Sequence, residues 1–303
     1  AEISAGVVES DINVNSRNND ATGGYTLSVG GFAIVDGTSF HPIQLETHNN
    51  NYGFYSISYE RQDGVLIPID EAIDGGKVSA ILKLRGSKIN RENTSSFDNG
   101  ILQNTINELD SFSKGLIQNT NNLYASAATT RMESNPLTIN EDYSILSSNI
   151  GVKEGSFDIV IYDIDGEEKA RRTIDVNSTT SMTGANSIES QIDAVVDDND
   201  DGSTGNDVND YIEFNWATYL NGEHALELAV DPSKASKGYT FSIEDKLTNS
   251  NYSSGSNFAG ALGLSRVFDG SNAQDIRIND DLKKNPTNIK AGKSSASGDN
   301  DVA

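Results

Sequence analysis

Between residues 102 and 123 apolar side chains return every four and three positions. The series runs Leu102, Ile106, Leu109, Leu116 and Leu123, with Ser113 and Thr120 at the two remaining places. That spacing fits one stripe of an α-helix and no strand, because residues three and four apart share a helix face. Phe112 and Ile117 widen the stripe. Burying its five Leu and Ile side chains is worth roughly 7–15 kcal/mol as an upper estimate. The helix therefore calls for a partner, in this chain or in a neighbouring one.

On either side of this helix the pattern is that of strands. "GGYTLSVGGFAIVDG" alternates and turns at Gly30-Gly31; "PIQLET", "YGFYSISYER" and "GVLIPI" continue it as an antiparallel meander with one buried face. "GGKVSAILKLRGSKI" places Val78, Ile81 and Leu82 at helical spacing. "SAATTRMESNP" reads as a linker stopped at Pro136. Beyond it, "GSFDIVIYDIDGEEKARRTIDV" is a hairpin with Phe157, Ile159 and Ile161 alternating, and "SIESQIDAVV" is an amphipathic helix over 187–196. "DYIEFNWATYL", "HALELAV" and "GYTFSIED" are strands, giving the order β-β-α-β-β-β. "SNFAGALGL" is a short helix stopped by Gly263, "AQDIRIND" a short strand, and "DDLKKNPTNIKAG" a helical turn broken by Pro286. The fold class is mainly β with α: antiparallel β domains plus a helical segment, an α+β chain of more than one domain. The expected division is 1–130 with 256–303 as one domain, and 131–255 as an inserted β-rich module.

Composition excludes several function classes. With 45 acidic and 22 basic residues the formal charge is -23, and such a surface repels phosphates, so no nucleic-acid partner is expected. There is no cysteine, hence no disulfide framework and no thiol nucleophile. No apolar run approaches the roughly 20 residues of a membrane span, and no membrane association is expected.

Catalytic patterns are equally sparse. His41 and His48 are poorly spaced for a metal and His224 stands apart. "AGKSS" at 291–295 contains Gly-Lys-Ser, but Thr287 stands where a phosphate loop needs glycine. No catalytic residues and no cofactor are expected. The strongest candidate for chemistry is "DDNDDGSTGNDVND" at 197–210. Asp197, Asn199 and Asp201 match positions one, three and five of a calcium loop and Gly202 the sixth, while Val208 replaces the closing glutamate. Both a solvated loop of Asx-turns and a weak calcium site are open readings.

Three stretches carry a family resemblance. "GGKVSAILKLRGSKI…INELDSFSKGLIQNTNNLYA" resembles part of the bacterial flagellar hook-associated proteins of the first hook–filament junction type. "NFAGALGLSRVFDGSNAQDIRIND" is similar to that family's F-x-x-A-L-G-L segment, and "NPTNIKAGKSSASGDNDVA" to its P-x-x-I-A-A-G segment. The 155–245 block resembles the repeat module inserted in flagellins and flagellar caps. The family's terminal helical regions are not seen, so the chain reads as a middle fragment.

The resemblance implies a structural axial protein of the flagellum, extracellular, exported by the flagellar export apparatus without a cleaved signal peptide. It implies hook protein, the second junction protein and neighbouring copies as partners, with the isolated chain monomeric. The residues expected to carry the packing are Leu102, Ile106, Leu109, Phe112, Leu116 and Leu123 in the helix, and Phe258, Leu262 and Leu264 in the return segment. Those two stretches are expected to pack together. Alternatives are another axial protein (flagellin or filament cap) and an extracellular calcium-binding adhesin module.

Overall fold

A computed structural model describes residues 3–8, 24–47, 54–89, 97–98, 100–141, 143–246, 255–294, 296, 298–300 and 302. It is mixed α+β and mainly β, and every strand pair in it is antiparallel. The chain forms two compact units, Ala1–Leu109 and Asp110–Ala303.

The first unit begins with strands β1 (Ile3–Val8), β2 (Gly24–Val29), β3 (Phe32–Asp36) and β4 (Ser39–Phe40), paired in sequence order. Strands β5 (Ile43–Thr47), β6 (Tyr55–Glu60) and β7 (Leu66–Pro68) form a separate sheet. The meander expected from the alternation is thus two sheets. Helix α1 (Gly76–Arg85) follows, then the two-residue strands β8 (Lys88–Ile89) and β9 (Phe97–Asp98). The core is small: Ile69, Ile73 and Leu82 are buried, with Phe32, Ile57 and Tyr59 packed on them. A buried ion pair, Arg85 with Asp70, is tied to this core, and Asp70 also accepts the Ile57 N–H at 3.0 Å.

Helix α2 (Ile101–Tyr124) contains the division between the units. The second unit has one large core. Strand β10 (Arg131–Glu133) pairs with β14 (His224–Val230), which pairs with β13 (Ile212–Thr218). A second sheet has β11 (Gly155–Tyr162) between β12 (Glu168–Val176) and β15 (Thr240–Lys246). Helix α3 (Ile188–Ile192) follows β12, α4 (Val208–Tyr211) precedes β13, and α5 (Pro232–Ala235) follows β14. The chain then returns through α6 (Phe258–Leu262), the paired β16 (Phe268–Asp269) and β17 (Arg277–Ile278), and α7 (Asp280–Lys284).

Two expectations change here. Residues 126–136 are no linker: β10 is a sheet member and Met132 is buried at 2% exposure. Strand β11 is buried along its whole length. Its charged residue, Asp158, accepts from Thr173 at 2.7 Å and pairs with Arg171 at 3.1 Å, which satisfies the buried carboxylate. The helix expected over 187–196 stops at Ile192, leaving Val195 and Val196 exposed. Arg172 explains the stop, since its guanidinium donates to the carbonyls of Gln191, Ile192 and Val196 at 3.2, 2.5 and 3.5 Å. Finally, Phe258, Leu262 and Leu264 join one core cluster with Met132, Phe157, Ile188 and Leu228. The return segment thus shares its core with the β-rich module.

Phe258 is the centre of that core: it is fully buried and stacks on Phe157 with ring centroids 4.4 Å apart. Phe258→Ala is expected to cost about 3–5 kcal/mol of unfolding free energy, measured by urea denaturation of the purified chain.

Candidate interaction face on helix α2

Helix α2 has a polar side and an apolar side, and the polar side is the one it buries. Gln103, Ser113, Asn121 and Tyr124 are buried, with Ile117 the one large aliphatic among the buried residues of this helix. Leu102, Leu109, Phe112, Leu116 and Leu123 are exposed by 50, 51, 68, 41 and 61%. Ile106 is half-buried. Advancing 100° per residue, the mean direction of the buried positions lies about a quarter turn from that of the leucines. The apolar series read from the sequence is therefore the edge the helix presents outward.

What turns the helix is a set of amides. Asn121 Oδ1 accepts the backbone N–H of Val267 at 2.8 Å and of Phe268 at 3.0 Å, and its Nδ2 donates to the Phe268 carbonyl at 2.8 Å. Gln118 Nε2 donates to the Ile150 carbonyl at 2.9 Å, and Asn257 Nδ2 donates to Gln118 Oε1 at 3.3 Å. Asn122 Nδ2 donates to Asp245 at 2.6 Å, and its Oδ1 accepts the Gly260 N–H at 3.3 Å. A Cβ on Gly260 would sit 2.2 Å from the Gln118 carbonyl oxygen, so the approach of α6 to α2 requires glycine. Burial raises the Asp245 carboxyl above its ordinary range, opposed by donation from Asn122 and from the Asn257 N–H. The sequence brings α2 and the return segment together, yet the contact runs through amides and backbone rather than through the leucines.

Beside the C-terminal half of α2 lies an open groove of about 450 Å³, lined almost wholly by carbon from Leu123, Phe268, Ile278, Leu282, Pro286 and Ile289. Lys283 and Lys290 also line it. Lys290 is fixed by its backbone, whose N–H donates to Tyr124 Oη at 3.0 Å, and its Nζ lies 5.7 Å from the Tyr124 ring centroid. Burial pushes its ammonium down to about 8, with no charge partner opposing the shift. The first unit has its own apolar concavity of about 480 Å³, lined by Leu45, Tyr55, Ile81, Leu84 and Leu102 among others.

The Asp-rich loop is knitted internally. Asp197 accepts the N–H groups of Asp201 and Gly202 at 3.2 and 2.8 Å, Asn199 accepts Asp201 at 3.2 Å, and Asp201 accepts Ser203 at 2.8 Å. These are the Asx-turns of the solvated-loop reading. Asp198 pairs with the buried Arg172 at 2.6 Å and accepts the Val208 N–H at 3.1 Å. Among the described residues no three His, Asp or Glu side chains are placed to hold a metal ion together. His41 stacks on Tyr59 and His224 on Trp216, each with centroids 5.1 Å apart, and His48 lies outside the described residues. In the Gly-Lys-Ser stretch, the Asp299 carboxylate already takes the Ser294 N–H and hydroxyl at 2.8 and 2.7 Å. No helix among the described residues is long and apolar enough to cross a membrane.

Residues 9–135 match the family model described as the flagellar hook-associated protein FlgK helical domain. The match spans α1 and α2, and over it the chain is FlgK-like, in agreement with the resemblance its sequence carries. FlgK proteins are structural components of the flagellum, concerned with its assembly and with motility. No curated protein is significantly similar to the chain.

The two sides of α2 differ in what a substitution does to the isolated chain. Asn121→Ala leaves two backbone N–H groups and a carbonyl without their partner and is expected to lower stability by about 1–3 kcal/mol. Phe112→Ser and Leu123→Ser are expected to stay within about 0.5 kcal/mol of the parent. Equal losses on both sides, in urea denaturation, would contradict the outward placement of the stripe.

Lys290 supplies a pH test. Below pH 8 the ammonium is charged in the folded and unfolded chain alike, and its burial costs stability. Between about 8 and 10.5 the folded chain has lost a proton that the unfolded chain keeps, so stability rises with pH. The stability of the parent relative to Lys290→Met is expected to climb by on the order of 2–3 kcal/mol across that window, read from denaturation at several pH values.

Proposed function

We propose that this hook-associated protein acts at the hook–filament junction, where its subunits adapt one helical lattice to the other by packing. The observation that carries the reading is the outward leucine edge of α2, inside the span matching the FlgK helical domain. An exposed row of large apolar residues on a long helix is a cost in water, offset when a neighbouring subunit covers it. Hook protein, the second junction protein and adjacent copies are the partners this reading assigns. The isolated chain is monomeric and has no catalytic role. An acidic chain free of cysteine suits export through the flagellar apparatus and folding outside the cell.

The test uses the full-length protein in the bacterium that makes it. Phe112→Asp with Leu116→Asp is expected to leave secretion intact while filaments fail to stay attached, so flagellin accumulates in the medium and swimming in soft agar is lost. Normal swimming with both aspartates in place would sink the assignment of this face.

A further inference from the structure

The chain contains two Asn-Gly pairs, Asn99-Gly100 and Asn221-Gly222. Such a pair rearranges without an enzyme when the glycine nitrogen reaches the asparagine amide carbon. Glycine permits this because it has no side chain to hinder the approach and its backbone turns freely. The fold treats the two pairs differently. Gly100 is buried, and a Cβ built on it would lie 2.2 Å from the Arg85 carbonyl oxygen and 2.4 Å from the Gly86 nitrogen. Its backbone is wedged against another stretch of chain and has no room to swing. Gly222 is exposed, with nothing within 4 Å of where a Cβ would stand.

Asn221-Gly222 closes the hairpin between β13 and β14. Tyr219 N–H donates to the Glu223 carbonyl at 2.8 Å, and Gly222 N–H to the Tyr219 carbonyl at 3.0 Å. Leu220, beside them, is wholly exposed. The turn bond of Gly222 thus sits at a solvated tip, where backbone hydrogen bonds open locally at low cost. Opening it frees the nitrogen that must attack. The Asn221 side chain is already engaged by Glu223. Its Oδ1 accepts the Glu223 N–H at 3.1 Å, a donor placed where negative charge develops as the amide carbon is attacked. Its Nδ2 donates to Glu223 Oε2 at 2.7 Å, so a carboxylate able to carry a proton stands beside the leaving nitrogen.

We propose that Asn221 is a self-modification site, at which Gly222 N displaces ammonia from the Asn221 side chain and water converts the cyclic imide to aspartate and isoaspartate. A bond forms between Gly222 N and Asn221 Cγ, and the Cγ–Nδ2 bond breaks. Glu223 takes the Gly222 amide proton and passes it to Nδ2, which leaves as ammonia. Water then adds its hydroxyl to one of the two imide carbonyls and its proton to the ring nitrogen. Nothing is oxidised or reduced. Either product adds a negative charge at the hairpin tip, and isoaspartate also lengthens the backbone by one carbon between Tyr219 and Glu223, which close the hairpin. The inference is independent of the junction reading. It makes this tip of the β-rich module a slow, irreversible record of time since folding.

The test holds the purified chain in warm, mildly alkaline buffer and follows its peptides by mass spectrometry, with isoaspartate recognised by an isoaspartyl methyltransferase. The Asn221 peptide is expected to gain about 1 Da, as a mixture of aspartate and isoaspartate. It should do so at least about tenfold faster than the Asn99 peptide. In urea-unfolded chain the two pairs should convert at similar rates. Glu223→Gln should slow conversion at Asn221 by about tenfold and leave Asn99 unchanged, with circular dichroism confirming that the variant is folded. Equal rates at the two pairs in the folded chain, faster conversion at Asn99, or an Asn221 that stays intact overturns the proposal. Aspartate without isoaspartate overturns the imide route, and an unchanged rate in Glu223→Gln overturns the proton transfer.

Discussion

The second unit depends on one side chain–backbone contact. Asn121 offers its amide oxygen to two backbone N–H groups and its amide nitrogen to a carbonyl, all in residues 267–268. It thereby acts as a peptide unit would in a sheet, but from within a helix. Once it is engaged, the rotation of α2 about its own axis is set. Gln118 and Asn122 then meet Ile150, Asp245 and Gly260, and the close approach at Gly260 follows. An unmade bond at a buried amide costs more than a made one gains, so this face is strongly specified. The leucine edge has no comparable claim on the rest of the chain.

That hierarchy explains what was legible in the sequence. The existence and bounds of α2, the hairpin turns at Gly30-Gly31 and Asp165-Gly166, the stop of α6 at Gly263 and the module's strand order all follow from local periodicity and turn chemistry. The orientation of α2 does not. Periodicity locates the apolar side of a helix and assumes that this side faces in, which fails when polar groups dock the helix. One signal was present: Gln118, Asn119, Asn121 and Asn122 crowd the last turns of a helix, although Asn is a poor helix former. A cluster of such residues where propensity disfavours them points to tertiary hydrogen bonding. Lys290 left no sequence signal, because its lack of an acid partner is a property of the fold.

The segment read as a linker failed for a related reason. Residues 126–136 have no apolar run, but Ala127 and Met132 are buried and β10 completes a three-stranded sheet by pairing with a strand nearly a hundred residues away. Small residues bury without a hydrophobic pattern. The Asp-rich loop shows the converse. Its composition suggests a cation site, while its carboxylates are occupied by backbone N–H groups and by Arg172. Asp198 and Arg172 link that loop to the end of α3, so part of its acidity serves the fold.

An exposed leucine edge invites aggregation, and the charge distribution is what opposes it. With a net charge of -23, two free chains repel one another at the range of the Debye length, about 8 Å at physiological ionic strength. At contact distance that repulsion competes with burial of a few leucines, each worth roughly 1.5–3 kcal/mol when fully covered. The balance shifts wherever local positive charge lies beside the apolar edge. Lys283 and Lys290, beside the apolar edge, provide positive charge of this kind.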